Sequence, residues 1–158
     1  MKKNSAGLLM YRMKNGKPKV FLMHPGGPFW KNKDEGVWSI PKGEADNGET
    51  SEALLEVAKR EFEEETGIKP VGEFKYLTSV ERKDGKKTVE VWMFEGDCDP
   101  EKIKSNTIFI DWPPRSDKKL EIPEVDRGDW FGLEEAKKKI NLYQIGIIEA
   151  FENIALDR

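Results

Sequence analysis

The sequence predicts an α+β fold in which helices cover the faces of a central mixed β-sheet. Short apolar runs bounded by turn residues predict several strands, and three further segments carry apolar residues at helical spacing. The chain of 158 residues contains no internal repeat, low-complexity tract or linker. We therefore expect one domain that spans residues 1–158.

The first half of the chain predicts two paired strands, then a broken segment, then one long helix. The expected elements before the helix are strands at 5–12 and 19–24 joined by a turn at 14–17, a loop at 26–34, a short strand at 37–40 and a turn at 44–49. Thr50 or Ser51 is a suitable N-cap for a helix that continues to about Thr66. Gly67 then provides a C-terminal stop.

The second half of the chain predicts more strands and two C-terminal helices. Asp84-Gly85 is a typical hairpin turn and lies between two candidate strands. The expected elements are strands at 72–81, 88–96, 107–112 and 126–131 and helices at 133–139 and 144–156. In the last helix Ile145, Ile148 and Phe151 share one side, which predicts packing against the sheet.

The composition argues against several classes of protein. A hydrophobic fraction of 37%, with eight Phe, five Trp and three Tyr, is sufficient for a folded core. The single cysteine, Cys98, excludes an internal disulfide and a multi-cysteine metal site. The net charge of −3 disfavours a stable nucleic-acid complex, and no apolar run predicts a membrane span or a signal peptide. We therefore expect a cytoplasmic protein with no membrane partner.

The predicted helix at 51–66 carries acids where a buried stripe is expected. On a helical wheel Glu61, Glu64 and Glu65 fall inside or beside the apolar arc, whereas Glu63 falls on the opposite side. Carboxylates in such positions repel one another and are costly to desolvate. A hard divalent cation resolves this conflict, because Mg²⁺ and Mn²⁺ prefer oxygen ligands. A solvent-exposed acidic helix is the alternative interpretation.

Residues 43–68, GEADNGETSEALLEVAKREFEEETGI, resemble the signature of the Nudix hydrolases. That signature is Gly, five residues, Glu, seven residues and then Arg-Glu-apolar-x-Glu-Glu-x-Gly-apolar. Its second half is complete here, from Arg60 to Ile68. Further segments are similar to a bacterial, MutT-like subgroup of this family: SAGLL at 5–9, HPGGPFW at 24–30, WSIPKG at 38–43 and PEVDR at 123–127.

The first half of the signature departs from the family pattern. Glu49 has the expected spacing from Gly43, but ten residues separate Glu49 from Arg60 instead of seven. Glu52 has the seven-residue gap, which places the insertion before it. Three extra residues add nearly one helical turn, so we expect a longer helix N-terminus and an intact site. Either Glu49 or Glu52 is the first Glu of the signature.

The resemblance implies the α/β/α sandwich of the family, with a central mixed β-sheet. It also implies a hydrolase that cleaves the diphosphate bridge of nucleoside diphosphate compounds, with Mg²⁺ as cofactor and Mn²⁺ as a substitute. Arg60 would orient the glutamates, and Glu64 is one of the implied catalytic residues. The implied metal-binding groups are the carboxylates of Glu61, Glu64 and Glu65 and a backbone carbonyl at Lys42 or Gly43.

Family members often supply one more acid from outside the signature. Counting back six residues from Trp130 reaches Glu124, where the preceding Pro123 limits the direction of the chain. Glu124 is therefore the expected general base. Asp126 and Glu121 are its rivals, and a plain surface loop is the alternative.

Other side chains are candidates for binding substrate. His24 ends a strand before a Gly-Gly turn, where a structural role is the alternative. Trp30 is the tryptophan most suited to stack on a base, because its loop is polar and flanked by glycine. The possible partners for phosphates, with solvent exposure as the alternative, are Lys31, Lys33, Lys42 and Arg115.

These features predict a Mg²⁺-dependent pyrophosphohydrolase that acts on a small-molecule nucleoside polyphosphate. Dinucleoside polyphosphates are expected slightly ahead of mononucleoside ones, because several basic residues are available for a long phosphate chain. A catalytically inactive Nudix-fold nucleotide-binding or regulatory module is the alternative, and the intact Arg-Glu-x-x-Glu-Glu core argues against it. We expect a monomer or a homodimer.

Overall fold

The computed structural model describes residues 3–46 and 49–156, which form a six-stranded mixed sheet, a small two-stranded sheet and three α-helices. The strands are β1 (Lys3–Lys14), β2 (Lys17–Pro25), β3 (Lys42–Ala45), β4 (Lys75–Glu81), β5 (Lys87–Glu95), β6 (Thr107–Asp111), β7 (Lys119–Pro123) and β8 (Val125–Gly132). The helices are α1 (Ser51–Thr66), α2 (Leu133–Lys139) and α3 (Ile145–Leu156). None of the described helices is long and apolar enough to span a lipid bilayer.

The main sheet is built around β1. Its strand order is β4-β5-β1-β2-β8, and β3 pairs with β1 as well. β1 runs parallel to β5, whereas the other pairs are antiparallel. Because β1 is 12 residues long, β2 pairs with its C-terminal part and β3 pairs with its N-terminal part. This arrangement brings β3 under α1, where the acidic residues lie.

Helices cover both faces of this sheet. On one face α1 packs Val57 and Phe62 into a core that includes Leu8 of β1. On the other face α3 packs Phe151 into a core that includes Leu9 of β1. Successive side chains of a strand point to opposite faces, so neighbouring leucines reach different cores. The observed fold is the α/β/α sandwich with a mixed sheet that the sequence predicts.

The structure corrects two expected elements near β3. The strand expected at 37–40 is reduced to isolated bridges, from Trp38 to Ile140 and from Ser39 to Met23. The sequence predicts a turn at 44–49, but residues 44 and 45 belong to β3; residues 47 and 48 of that expected turn lie outside the described residues. The short sequence of β3 carries no strand signal, because the neighbouring edge of β1 determines its pairing.

The charge- and proline-rich segment around the expected strand at 107–112 predicts a loop, but it also contains β7. β6 and β7 form an antiparallel hairpin in which Ile108 faces Ile122 and Ile110 faces Leu120. Sequence reasoning misses β7 because most of its side chains are exposed, and only Ile122 is buried. The isoleucines at alternate positions of β6 are the signal that this hairpin has an apolar face.

Candidate active site

The bounds of α1 agree with the prediction and set the direction of its acidic side chains. Thr50 is the N-cap, and its hydroxyl accepts a hydrogen bond from the Ala53 N–H at 3.2 Å. At the other end Gly67 adopts the left-handed conformation with φ of 76°, and its N–H donates to the Glu63 carbonyl. Because both caps are local, the register of the helix follows from its own sequence.

The phase of α1 buries some of its carboxylates and exposes others. Glu65 is only 6% exposed, and the side chain of Glu61 is 18% exposed. Glu64 lies nearer to solvent, with a side-chain exposure of 46%, and Glu63 is exposed. The helical wheel therefore assigns Glu61, Glu63 and Glu65 to the correct sides, whereas Glu64 lies at the edge of the buried side.

Glu65 is a carboxylic acid in surroundings that oppose its ionisation. Burial, followed by the charges of Glu124 and Glu61, raises the pKa of Glu65 to about 9. The charge of Lys42 and a backbone hydrogen bond from Lys42 act in the opposite direction. Oε2 of Glu65 is buried and has no hydrogen-bond partner among the described residues. This oxygen is therefore available to a positively charged ligand.

Glu61 lies against the backbone of β3. A Cβ atom at position 43 would overlap its carboxylate, so Gly43 is required for this close approach. Burial and the neighbouring Glu64, with a smaller effect from Glu124, raise the pKa of Glu61 to about 7, and Arg60 opposes the shift. The Arg60 guanidinium lies 4.0 Å from Oε1 of Glu61 and 3.9 Å from Oε1 of Glu64.

Glu124 reaches this cluster from the residue that precedes β8. Its N–H donates to the Asn106 carbonyl, and its own carbonyl accepts from the Gly26 N–H, both at 3.0 Å. A Cβ atom at position 26 would overlap the backbone just before Glu124, so glycine permits the loop after β2 to approach. The charge of Glu124 contributes to the raised pKa values of both Glu61 and Glu65, which indicates that the three acids are neighbours.

The two rival acids have other partners. Oδ1 of Asp126 lies 2.9 Å from Nδ1 of His24 and 3.5 Å from Nη1 of Arg127. Glu121 is exposed on the β6–β7 hairpin and accepts a hydrogen bond of 2.8 Å from a hydroxyl group on the paired strand. Neither acid lines the cavity beside the carboxylates of α1.

A cavity of about 480 Å³ opens beside Glu65 and Glu124. Lys42 also lines it, but most of its wall is apolar or aromatic. The loop after β2 and the segment 108–122 supply a large part of that wall, with the side chains of Phe29, Trp30, Ile108, Ile110, Trp112 and Ile122. A cavity of this size and composition is suited to a small ligand that contains a flat ring.

His24 lies away from the cavity wall, although the sequence makes it a candidate for binding substrate. It is fully buried and does not line the cavity, whereas Trp30 does. Both ring nitrogens of His24 already have protein partners, Asp126 and the carbonyl of Lys33. The position of His24 therefore does not support direct contact with substrate.

The expected phosphate partners lie mostly outside the cavity. The ammonium group of Lys33 lies 3.6 Å from the centre of the Phe29 ring, in a cation–π contact. Lys42 lines the cavity, but its side chain also approaches Lys87, and its charge lowers the pKa of that lysine. The two remaining candidates are exposed and do not line the cavity: Lys31 and Arg115.

The donor set of this site fits a hard divalent cation. Within residues 3–46 and 49–156, no three acidic, histidine or cysteine side chains are arranged as a complete metal-binding group. The donors are nevertheless carboxylate oxygens, and one buried oxygen of Glu65 lacks a protein partner in that part of the chain. A cation here would offset the repulsion that contributes to the raised pKa values of Glu61 and Glu65.

The structure also distinguishes the two candidates for the first Glu of the signature. Oε2 of Glu49 is buried and has no hydrogen-bond partner among the described residues, whereas Glu52 is exposed in the first turn of α1. The two candidates therefore differ in burial, because Glu49 keeps an oxygen out of solvent and Glu52 does not.

Comparison with protein families decides the identity of the domain, because a model described as the NUDIX domain matches residues 1–151. The chain belongs to the Nudix family. The complete Arg-Glu-x-x-Glu-Glu segment of the signature, from Arg60 to Glu65, lies on α1. The protein is accordingly a Nudix pyrophosphohydrolase that acts on nucleoside diphosphate-linked substrates.

Several solved structures have the same fold as this Nudix domain. An Ap4A hydrolase from C. elegans, in a binary complex, is 22% identical with a TM-score of 0.67 over 99% of each chain. The NUDIX domain of NrtR from Shewanella oneidensis, complexed with ADP ribose, is 15% identical with a TM-score of 0.61 over 98% of this chain and 88% of that one. A MutT protein from Methanosarcina mazei Go1 is 20% identical with a TM-score of 0.61, over 97% and 94%. Comparison with curated proteins finds no match.

Replacement of Glu65 by Gln should reduce metal-dependent hydrolysis by on the order of a hundredfold. Gln keeps the shape of the side chain but removes the charge that a cation requires, and the protein should fold normally because that charge is costly to bury. Phosphate release and thermal unfolding measure the two effects. Glu63→Gln is the matched control, because Glu63 is exposed on the same helix and its variant should retain nearly full activity. Equal losses in both variants would contradict the assignment of helix faces.

Proposed function

We propose that the protein is a Mg²⁺-dependent hydrolase that cleaves the diphosphate bridge of nucleoside polyphosphates. The observation that carries this proposal is the position of Glu65 and Glu124 in the wall of a mainly apolar and aromatic cavity, whose third acid, Asp111, is paired with Lys119. Carboxylates suit the cation that accompanies phosphates, and aromatic side chains suit the base of a nucleotide. Mn²⁺ is the expected substitute, because it accepts the same oxygen ligands.

The proposed metal-holding groups come from α1 and β3. They are the carboxylates of Glu61, Glu64 and Glu65 and a backbone carbonyl at Lys42 or Gly43. Bound Mg²⁺ would neutralise the diphosphate oxygens on which negative charge develops. Arg60 would hold two of the carboxylates in place, since its guanidinium lies within 4.0 Å of both Glu61 and Glu64.

Glu124 is the residue that we propose as the general base. Its position in the cavity wall and its influence on the pKa values of Glu61 and Glu65 support this role. A carboxylate in this position can accept the proton of the water that attacks phosphorus. Glu64 is the alternative, because it is more exposed than the other acids of the site. Asp126 is less suited, since its oxygen is engaged by His24.

The aromatic part of the cavity is the proposed site for the base. Trp30 lies on the loop after β2, and Trp112 follows β6, so two different segments contribute a large ring to one cavity. Indole rings stack on nucleobases without requiring a particular sequence of hydrogen-bond donors. This arrangement supports recognition of a nucleoside by stacking and leaves the choice of base open to the polar groups around it.

The positions of the basic side chains bear on the length of the phosphate chain that the cavity can bind. Of the four residues considered as phosphate partners, only Lys42 lines the cavity. The cavity therefore offers fewer basic residues to a chain of several phosphates than the sequence predicts. A dinucleoside polyphosphate remains a proposed substrate, supported by the Ap4A hydrolase neighbour, and a mononucleoside polyphosphate is its direct competitor.

A panel of nucleotides tests this function directly. The purified protein with Mg²⁺ should hydrolyse nucleoside polyphosphates, and the reaction should stop when the metal is chelated and resume with Mg²⁺ or Mn²⁺. Chromatography identifies the products and shows which anhydride bond is cleaved. ADP-ribose and nucleotide sugars belong in the panel, because one structural neighbour is complexed with ADP ribose. Turnover of either at least a hundredfold more efficiently than any polyphosphate would contradict the proposed substrate class.

Glu124→Gln should reduce turnover by on the order of a hundredfold or more, because the variant lacks the proton acceptor. Thermal stability should change little, since the backbone contacts of Glu124 do not use its side chain. Steady-state kinetics on the best substrate of the panel measures the effect. Glu121→Gln is the control, because this exposed acid lies outside the cavity and its variant should remain active. If Asp126→Asn abolished activity while Glu124→Gln retained it, the role of general base would pass to Asp126.

A further inference from the structure

His24 connects two segments that both contribute to the cavity. Its Nε2 lies 2.6 Å from the carbonyl oxygen of Lys33, at the end of the loop that carries Trp30. Its Nδ1 lies 2.9 Å from Oδ1 of Asp126, two residues after Glu124. The ring is fully buried. His24 is thus a single side chain tied to the aromatic loop on one side and, on the other, to β8, the strand that follows the proposed base.

The nearest partners of His24 are a carbonyl oxygen and a carboxylate oxygen, and Nη1 of Arg127 lies 3.4 Å from Nδ1 as well. A carbonyl oxygen has no proton to donate, so Nε2 of His24 is the donor in the bond to Lys33. The imidazole ring is well suited to connect the two segments, because its two nitrogens point in fixed and divergent directions. Among the described residues of β2, His24 alone forms side-chain hydrogen bonds to both segments.

The loop that receives the Nε2 bond is organised by short-range contacts. The Trp30 N–H donates to the Gly27 carbonyl at 3.3 Å, and the Lys33 N–H donates to the Trp30 carbonyl at 2.9 Å. The Lys33 side chain then folds back over the Phe29 ring at 3.6 Å. The loop therefore behaves as a compact turn, and a bond that fixes the Lys33 carbonyl also restrains the two aromatic residues before it.

The two segments are also joined directly by a backbone hydrogen bond from the Gly26 N–H to the Glu124 carbonyl. Among the described backbone hydrogen bonds outside the sheet, this bond alone links them. That bond anchors the beginning of the loop, close to the end of β2. The bond from His24 anchors its far end at Lys33. With both ends held, Phe29 and Trp30 have a defined position in the wall of the cavity that Glu65 and Glu124 also line.

We propose that His24 is a positioning residue that sets the aromatic loop, and hence the base-binding wall, relative to Glu124. The identity of the ligand in this inference rests on the proposed function, whereas the hydrogen bond that ties His24 to the loop does not depend on it. It assigns His24 to substrate affinity without contact with substrate. Loss of the Lys33 bond displaces Trp30 and weakens binding, while the acids that act on phosphorus keep their positions.

Two isosteric variants separate the bonds of His24. The amide nitrogen of Gln occupies a place similar to Nε2, so His24→Gln keeps a donor for the Lys33 carbonyl. The amide nitrogen of Asn corresponds to Nδ1, so His24→Asn keeps a donor for Asp126 and loses the bond to the loop. We expect His24→Asn to raise KM by on the order of tenfold with kcat within about threefold of the wild type. His24→Gln should restore KM to near the wild-type value.

A second measurement does not depend on activity. Hydrogen exchange of the free protein should show faster exchange at the loop amides, including the Trp30 and Lys33 N–H groups, in His24→Asn and near-wild-type exchange in His24→Gln. Equal effects of the two variants on both KM and loop exchange would overturn the proposal, as would a loss confined to kcat. If the wild type hydrolysed no nucleotide, the proposed function would fail, whereas the exchange experiment would still decide whether His24 holds the loop.

Discussion

The site depends on one constraint, which is that α1 must bury carboxylates on the side that packs against the sheet. Phe62 and Glu65 both lie on that side, one in the apolar core and the other at its edge. Burial and neighbouring acids raise the pKa of Glu65 to about 9 and that of Glu61 to about 7. Buried carboxylates make the fold less stable without a counter-ion. A divalent cation would offset both their mutual repulsion and the cost of removing them from water.

Other parts of the structure bring backbone segments and one more acid close to the buried carboxylates of α1. β3 pairs with the N-terminal part of β1 and brings Gly43 against Glu61, which only a residue without a Cβ atom permits. Gly26 has the same function beside Glu124, where the loop after β2 touches the segment before β8. Close packing at these two glycines joins elements that are far apart in the sequence. The cavity with its aromatic wall lies beside the acids because the same loop and the β6–β7 hairpin meet there.

Features that depend on local sequence are predicted well, and features that depend on distant contacts are not. The bounds of α1, its caps and the burial of Glu65 follow from periodicity and capping residues, which act within a few positions. β3 is missed because the edge of β1 determines its pairing, and β7 is missed because its hairpin buries little. The sequence identifies Lys33 as a basic residue but not that its ammonium lies over an aromatic ring. The contacts of His24 are not predicted either, because Lys33 and Asp126 lie 9 and 102 positions away along the chain.

The pH dependence of stability in the metal-free protein tests the central claim most directly. The pKa of Glu65 in the folded protein, about 9, lies above the ordinary value of 4.5, so the folded state retains a proton that the unfolded chain releases. The resulting stability is complete below about pH 4.5 and is lost as the pH rises through about 9. Chemical unfolding should therefore show a free energy of unfolding that falls more steeply from about pH 5 to 9 in the wild type than in Glu65→Gln, and Mg²⁺ should restore the wild type at high pH. Identical pH dependence in the two proteins, with no effect of Mg²⁺, would contradict the account.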